Sequence, residues 1–455
     1  MAEKVELVEE MAEATKPKKE RLPVGKFLAW KSRDISLAAS FTVVGYLTFF
    51  ATNTLGMNAG LVGSLLFASK LVDVVVDLFL GYLVDKSPIT RFGKARPYEL
   101  AIIGVWLGTL FMFSAPASLG MVAKSIWIFT SYTLVHTVFT SLLNSNQTPY
   151  IIRAFGTRQM VGKVSSYGGI ISTLGAMVVT ITFPKLMASM ATSPAGWRNL
   201  VALYAIPLVI IGLMRFFFVK ENLEGLESGN EKPLEIKTIV EMLKKNKFAW
   251  VYGFILAPIQ MITTLNVGAF YFTEIVGDIG KLGTLQAINI LMLLVMFSFP
   301  KLMNKISVSG VVALGTIVGM VGYFLNFFAG DNMIMLAIAF LFTGFSLLPV
   351  SYLQAVMVMN LASYNESVKL PRMEATANSL GMLFGNIGMG LGSALLGILL
   401  STSGYDGAAA VQPDSALLMI RLLYSFIPMV LLAITFFASR YFSKLDKIVI
   451  GLEEK

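Results

Sequence analysis

Apolar runs of about 20 residues recur along almost the whole chain, each closed by a short polar stretch. They fall near 34–56, 60–84, 98–119, 125–150, 165–190 and 198–219, and again near 248–274, 281–302, 308–329, 332–358, 375–402 and 415–440. About 20 apolar residues suffice to cross a bilayer as a helix. Hydrocarbon leaves backbone N–H and C=O groups no water to bond, so such runs form helices or closed barrels, and runs of this length are helices. The pattern predicts an all-α polytopic membrane protein with twelve transmembrane helices. A charged stretch at 220–247, with six lysines and six glutamates, divides them into an N-terminal set at 34–219 and a C-terminal set at 248–440. Its later part has the composition of an amphipathic helix lying on the membrane. Polar cytoplasmic tails are expected at 1–33 and 441–455. No short apolar core with a cleavage site begins the chain, so its start does not read as a removable signal peptide.

Lys70, Asp73 and Asp77 interrupt the second run. An ionisable side chain near the centre of a membrane helix costs about 2.5–3.5 kcal/mol on insertion scales, so three of them persist only where they face protein or water and pair. At 3.6 residues per turn they share one face, with Lys70 in reach of Asp73 and Asp77 one turn further on. Ionised, they leave one negative charge, which a single cation neutralises. A cation site coupled to movement of a second solute is the expectation. A buried ion triplet that only fixes helix register is the plainer alternative.

An internal echo weighs against that alternative. Gly60-Leu-Val-Gly63-Ser64-Leu65 returns as Gly280-Lys-Leu-Gly283-Thr284-Leu285, 220 residues later. Ile290, Leu293 and Phe297 then stand opposite the three charges, so the helix itself does not require them. Twelve runs, the linker and this offset together predict a major-facilitator fold of two six-helix halves, with a solute site near the midplane and transport by rocking one half against the other. Lysine and arginine asymmetry sets the orientation. Arg91, Lys94, Arg96, Arg153, Arg158, Lys301, Arg372, Arg440 and Lys444 fall on the side of the amino terminus, against Lys124, Lys185, Arg198 and Lys281 opposite. A multi-pass protein of the cell (inner) membrane with both termini cytoplasmic is expected.

Composition narrows the chemistry. The chain is 56% hydrophobic and 14% charged, with a mean hydropathy of +0.72, values of multi-span membrane proteins. Cysteine is absent, which excludes disulfides, thiolate metal sites and cysteine nucleophiles. One histidine, His136, cannot build a multi-histidine site. The net charge of +9 mostly reflects the lysines and arginines on one membrane side, and no basic domain supports nucleic-acid binding. The motifs assemble no nucleophile, base and orienting group, so an enzyme is not expected. Residues 156–163, from Gly156 to Lys163, look faintly like a phosphate loop, but have one residue too many, end in Val164 and follow no strand.

Gly60, Gly63 and Leu65, then Lys70, Asp73, Asp77, Gly81, Asp85, Arg91, Gly93, Lys94, Arg96, Pro97 and Tyr98 carry a resemblance. In order and spacing this stretch resembles the second helix and following loop of the glycoside-pentoside-hexuronide:cation symporter family, the melibiose permease-like branch of the major facilitator superfamily. The resemblance implies that Asp73 and Asp77 couple the cation, as sodium ligands if sodium is the ion; from its place beside them, Lys70 is expected to release or tune them. The resemblance also implies that Gly81, Asp85, Arg91, Gly93, Lys94, Arg96 and Pro97 belong to a cytoplasmic gate. Tyr364, Glu366, Arg372 and Glu374 fit the family's loop between spans ten and eleven, and Asp34 falls near its sugar-binding aspartate.

The departures bear on substrate more than on fold. Val76 stands where the family often has Asn, Asn386 where span eleven commonly has Lys, and Gly168 where span five has a sugar-associated Arg. Asn144 and Gln147 are the nearest candidates for a missing acid on span four, and Asn360 and Ser363 replace two aspartates. Sodium, a hard cation, wants several oxygen ligands. The lost oxygens leave proton coupling open beside sodium, as well as a ligand set drawn from Asn144, Ser145 and Thr148. Asp34, Lys70, Asn144, Gln147 and Asn386 are the candidate substrate-binding residues.

Blander readings stand beside several features. Residues 144–148 are either a loosened helix lining a cavity or a simple helix exit. His136 is a proton relay or a neutral histidine held within the bundle. Gly388 and Gly392 make a GxxxG that reads first as close helix packing. The 25 methionines and 33 phenylalanines read first as flexible apolar packing, and otherwise as a greasy pocket. Tyr46, Trp106, Tyr132, Tyr167, Tyr271 and Tyr352 are available as an aromatic platform for a sugar. The expected function is cation-coupled (Na+ or H+) secondary transport of a glycoside or related sugar by alternating access, by a monomer in the bilayer. A lysolipid or other amphipathic solute is the alternative cargo, and a non-transporting sensor or scaffold the alternative class.

Overall fold

The computed structural model describes residues 23–453 apart from 87, 89, 157, 223–242, 297–301, 303–304 and 369–373. Several side chains within its helices, those of Asp77 and Asp85 among them, also lie outside the described residues. The helices are α1 (Val24–Asn53), α2 (Ala59–Lys86), α3 (Ala101–Met112), α4 (Met121–Phe155), α5 (Arg158–Met190) and α6 (Pro194–Phe218). There follow α7 (Lys247–Glu274), α8 in two pieces (Gly280–Gln286 and Asn289–Met296), α9 (Val308–Ala329), α10 (Met333–Ser367), α11 (Glu374–Thr402) and α12 (Asp414–Val449). Among the described residues 9 helices are long and apolar enough to cross a membrane, and there is no strand beyond an isolated bridge between Thr90 and Gly93. The order of segments is consistent with the twelve expected runs, in a major-facilitator fold of two six-helix halves.

Helix starts follow capping chemistry. The Asn58 side chain accepts from the Gly60 N–H at 2.9 Å before α2, Ser193 from Gly196 at 3.1 Å before α6, and Asn332 from Ile334 at 3.1 Å before α10. Several boundaries differ from expectation: α5 starts at Arg158, seven residues early, α10 runs on to Ser367, nine residues past 358, and the last helix continues to Glu453 through most of the stretch expected as a polar tail at 441–455. α1 begins at Val24, ten residues before the expected start. Lys31, Arg33 and Asp34 end the apolar run in sequence, but paired inside the protein they do not end the helix. α3 stops at Met112, where the run continues to 119.

Within the halves, α1 packs on α5 and α6, α7 on α11 and α12, and α9 on α10 and α12. Between the halves, α2 crosses α11 and α5 crosses α8. Glycine permits both crossings. A Cβ added at Gly63 would lie 2.6 Å from the Ser393 carbonyl oxygen of α11, and one at Gly283 would collide with the Ile181 carbonyl of α5. The repeated glycine motif therefore does the same job in each half. Gly388 and Gly392 press on the α7 backbone, the latter's missing Cβ standing 2.6 Å from the Met261 carbonyl oxygen. The packing reading of that GxxxG holds.

The end of the bundle reached by Asn53 is the distal end, and there the halves are tied by polar contacts. The Asn53 amide donates to the Tyr405 hydroxyl at 2.9 Å, which donates to a Glu274 carboxylate oxygen at 3.2 Å. Burial, and next the Glu274 carboxylate, raise the Tyr405 phenol above its usual range, so it stays protonated and able to donate. Ser401 donates to Asn58 at 3.0 Å, and the Asn266 side chain donates to the Gly45 carbonyl. Phe49 and Phe270 meet edge to face at 5.3 Å.

Candidate functional site

Lys70 lies at the face of α2 that meets α11, where a Cβ on Gly390 would stand 3.1 Å from its Cβ, and Asp73, three residues on, turns toward α4. The Lys70 ammonium donates to Asp73 Oδ2 at 2.7 Å, and the Thr137 hydroxyl of α4 donates to Oδ1. Both carboxylate oxygens are thus engaged, in a pair only 6% and 4% exposed. Removing either partner strands a buried charge, which costs about 3–5 kcal/mol. The neighbouring Thr133 donates to Ser69 at 2.9 Å, and the Lys70 ammonium sits 5.6 Å from the Tyr132 ring. The α4 backbone is π-helical over Leu134–Thr140, a geometry that is frequent at functional sites. Asn386 lies one turn before Gly390 on α11 and is half-buried. The side chain of Asp77 lies outside the described residues. Among those described, no three His, Asp or Glu side chains are placed to hold a metal ion.

Asp34 sits deep in α1 within a knot of charge. Lys31 reaches it at 3.0 Å, Arg33 at 2.9 Å and Arg215 of α6 at 2.9 Å. Glu99, fully buried, stands 3.7 Å from both Arg33 and Arg215. Gln147 accepts from Arg215 at 2.6 Å and also from Arg33, and Arg215 lies 3.7 Å over the Trp30 ring. Three cations face two carboxylates: Asp34 is in direct contact with all three, whereas the Glu99 oxygens have only the two arginines at 3.7 Å to offset their charge and accept no hydrogen bond among the described residues. The Lys31 side-chain end lies over Gly168 of α5, in the space a larger residue would fill.

The loop after α2 is fastened to the end of α6. Glu221 accepts from the N–H groups of Ala95 at 2.8 Å and Arg96 at 2.6 Å, and pairs with Arg153 at 3.3 Å. Arg96 donates to the carbonyls of Phe216 and, at 3.1 Å, Phe217. Gly93 has φ +113°, and a Cβ there would strike Glu221. Pro97 opens a 3₁₀ turn, Arg96–Leu100, that carries Glu99 inward to the knot.

Residues 36–447 match the family described as MFS/sugar transport protein. The chain belongs to that family. The isoprimeverose transporter of Lactiplantibacillus pentosus is 27% identical over 96% of this chain and 93% of its own length. The inner membrane symporter YicJ of Escherichia coli (strain K12) is 23% identical over 88% of this chain and 87% of its own. A solved structure of the nucleoside transporter NupG superposes with TM-score 0.63 at 14% identity, over 93% of this chain and 98% of that one, a likeness of fold alone. The family agrees with the resemblance read from residues 60–98.

Within this sugar-transport family chain, the geometry sorts the expected residues. It joins Lys70 to Asp73, and brings Asp34 and Gln147 onto the same two arginines, Arg33 and Arg215. Asn144 and Glu366 are exposed, and Arg91 lies against the Phe92 ring at 4.7 Å. Gly81, Asp85, Glu374 and Arg372 fall on residues or side chains outside those described. Tyr46, Trp106, Tyr132 and Tyr271 are buried, Tyr167 is exposed and the Tyr352 side chain is outside the described set. Of residues 144–148, Asn146 interrupts the helix and donates to the Ala95 carbonyl at 2.6 Å, a loosened helix rather than an exit. His136 is stacked between rings, and its Nε2 is buried without a hydrogen-bond partner. Thr137, Glu99, Arg215 and Glu221 are additions. For two of these charges, both in the knot, the visible signals were an acid at the start of the third apolar run, Glu99, and an arginine within the sixth, Arg215.

Proposed function

We propose that the protein is a cation-coupled symporter carrying a glycoside or related sugar across the cell membrane by alternating access, its termini on the cytoplasmic side. The observation that carries this reading is the buried Lys70–Asp73–Thr137 cluster beside the face where the two halves meet. A coupling cation, Na+ or H+, competes there with the Lys70 ammonium for Asp73, with Asp77 one turn along α2 as the second carboxylate. Asp34, among Lys31, Arg33 and Arg215, offers acceptors and donors for sugar hydroxyls. Family membership, an isoprimeverose transporter and an inner membrane symporter among the relatives support sugar as cargo and symport as mode. Closure at the distal end, with lysines and arginines concentrated at the other, supports an inward-facing conformer. One positive charge moving down 100 mV supplies about 2.3 kcal/mol, enough for about fifty-fold accumulation. Neither the lysolipid nor the sensor reading gains an observation.

Uptake by proteoliposomes tests the proposal, with sodium and proton gradients imposed separately on isoprimeverose, lactose, melibiose and methyl glycosides. Accumulation of at least one sugar under one gradient, lost in Asp73→Asn, is expected. Equal uptake with and without gradients would sink the coupling, and leak alone for every sugar would sink the cargo.

A further inference from the structure

On α1, positions 34, 38, 41 and 45 recur at helical spacing and share one face. The Gly45 end of that face meets the C-terminal half: a Cβ on Gly45 would lie 2.7 Å from the Asn266 side chain of α7. Asp34 stands at one end of the stripe and Phe41, two turns and about 10.5 Å further on, at the other. Between them is Ala38, which adds little bulk. Phe41 is 42% exposed, yet its ring is fixed from behind. It stacks on His136 of α4 at 5.3 Å with 15° between the planes. His136 lies against Tyr132 at 4.5 Å, the Lys70 ammonium is 5.6 Å from the Tyr132 ring, and Lys70 binds Asp73 at 2.7 Å.

The π-turn of α4 organises this row. Tyr132 and His136 form one line of side chains; Thr133 and Thr137, each the next residue, form a second line facing Ser69 and Asp73. The wide turn is held by side chains: the Thr140 hydroxyl donates to the Val135 carbonyl at 2.8 Å, five residues back. One short segment therefore touches the Asp73 carboxylate with one residue and the Phe41 ring with the residue before it. A pyranose presents an apolar C–H face and a rim of hydroxyls. An exposed, rigidly backed ring with a carboxylate two turns away suits both.

We propose that Phe41 is the surface on which the pyranose ring of the transported sugar lies, and that His136 and Tyr132 are positioning residues linking this surface to the Lys70–Asp73 pair. The inference rests on the symporter reading and assigns its solute platform and its coupling route.

The test uses the full-length protein in proteoliposomes and the sugar panel above, carrying forward the member taken up best. Phe41→Ala and Phe41→Leu each raise the half-saturating sugar concentration about ten-fold, and Phe41→Trp restores it. His136→Ala lowers the factor by which the coupling cation raises sugar affinity by about five-fold or more, with a smaller change in cation-free affinity. Wild-type behaviour of Phe41→Leu, which keeps apolar bulk without a ring, would overturn the platform. Parallel loss of sugar and cation affinity in His136→Ala would overturn the link, since a purely structural role moves both together. Failure of the wild type to take up any sugar would instead remove the symporter reading, and this inference with it.

Discussion

Alanine in place of Gly63 puts a methyl group 2.6 Å from the Ser393 carbonyl oxygen, 3.1 Å from Cα of Gly397 and 3.3 Å from Cα of Ala394. None of these atoms is the free end of a flexible side chain, so α2 and α11 must separate. Overpacking of this kind costs about 1–3 kcal/mol. Only the conformer closed at the distal end bears that cost, so its population falls about 5- to 150-fold relative to the alternative. The natural chain has no cysteine, so one introduced thiol reports without background. Met57, 3% exposed at the distal end, is a suitable site. In Met57→Cys, a membrane-impermeant maleimide applied from outside should react slowly; adding Gly63→Ala should accelerate it several-fold or more. Gly169→Ala, whose methyl meets nothing within 4 Å, is the control. Unchanged labelling in the Gly63→Ala background, or equal acceleration in the control, would refute the argument that this crossing keeps the distal end shut.

Asp73→Asn should uncouple uptake from every imposed gradient and lower the thermal midpoint, because Lys70 loses its partner at a cost of about 3–5 kcal/mol. Lys70→Met added to it should recover the midpoint but not the coupling, and recovery of both would make the pair merely structural. Arg215→Met removes charge-assisted hydrogen bonds to Asp34, Gln147 and the Trp30 carbonyl and leaves fully buried Glu99 with Arg33 alone; it should destabilise by about 1.5–3 kcal/mol, read by tryptophan fluorescence on heating, and a shift of under about 1 °C would contradict the knot. Gly93→Ala forces an L-residue into φ +113° and a methyl into Glu221. It should cost about 1–3 kcal/mol and loosen the loop, seen as faster proteolysis after Arg91.

Spacing and hydropathy made some of this legible. Lys70 and Asp73 are three residues apart on one helix, so their pairing followed from helical geometry alone. The glycine echo likewise marked two equivalent helix starts, though that both are crossings with the opposite half emerged only from the structure. What stayed hidden depends on partners far apart in sequence. Asp34 meets Arg215 across 181 positions and Arg33 meets Gln147 across 114. A hydropathy reading counts such charges as the end of a span, which is why α1 starts earlier than its apolar run. Thr137 is one hydroxyl among many until the π-turn aims it at Asp73. Phe41 is indistinguishable from 32 other phenylalanines until its ring is found exposed and stacked. Glu221 lay in what read as linker, and its role emerged only from the N–H groups it collects.

The crossings of α2 with α11 and of α5 with α8 rest main chain on main chain. At the glycine positions themselves, Gly63 and Gly283, no rotamer has to be reset when one half rolls over the other, so repacking is confined to the side chains that flank them, such as Phe67 and Lys185. The polar ties around Tyr405 and Asn266 join the two halves at the distal end, so they must break before that end can open.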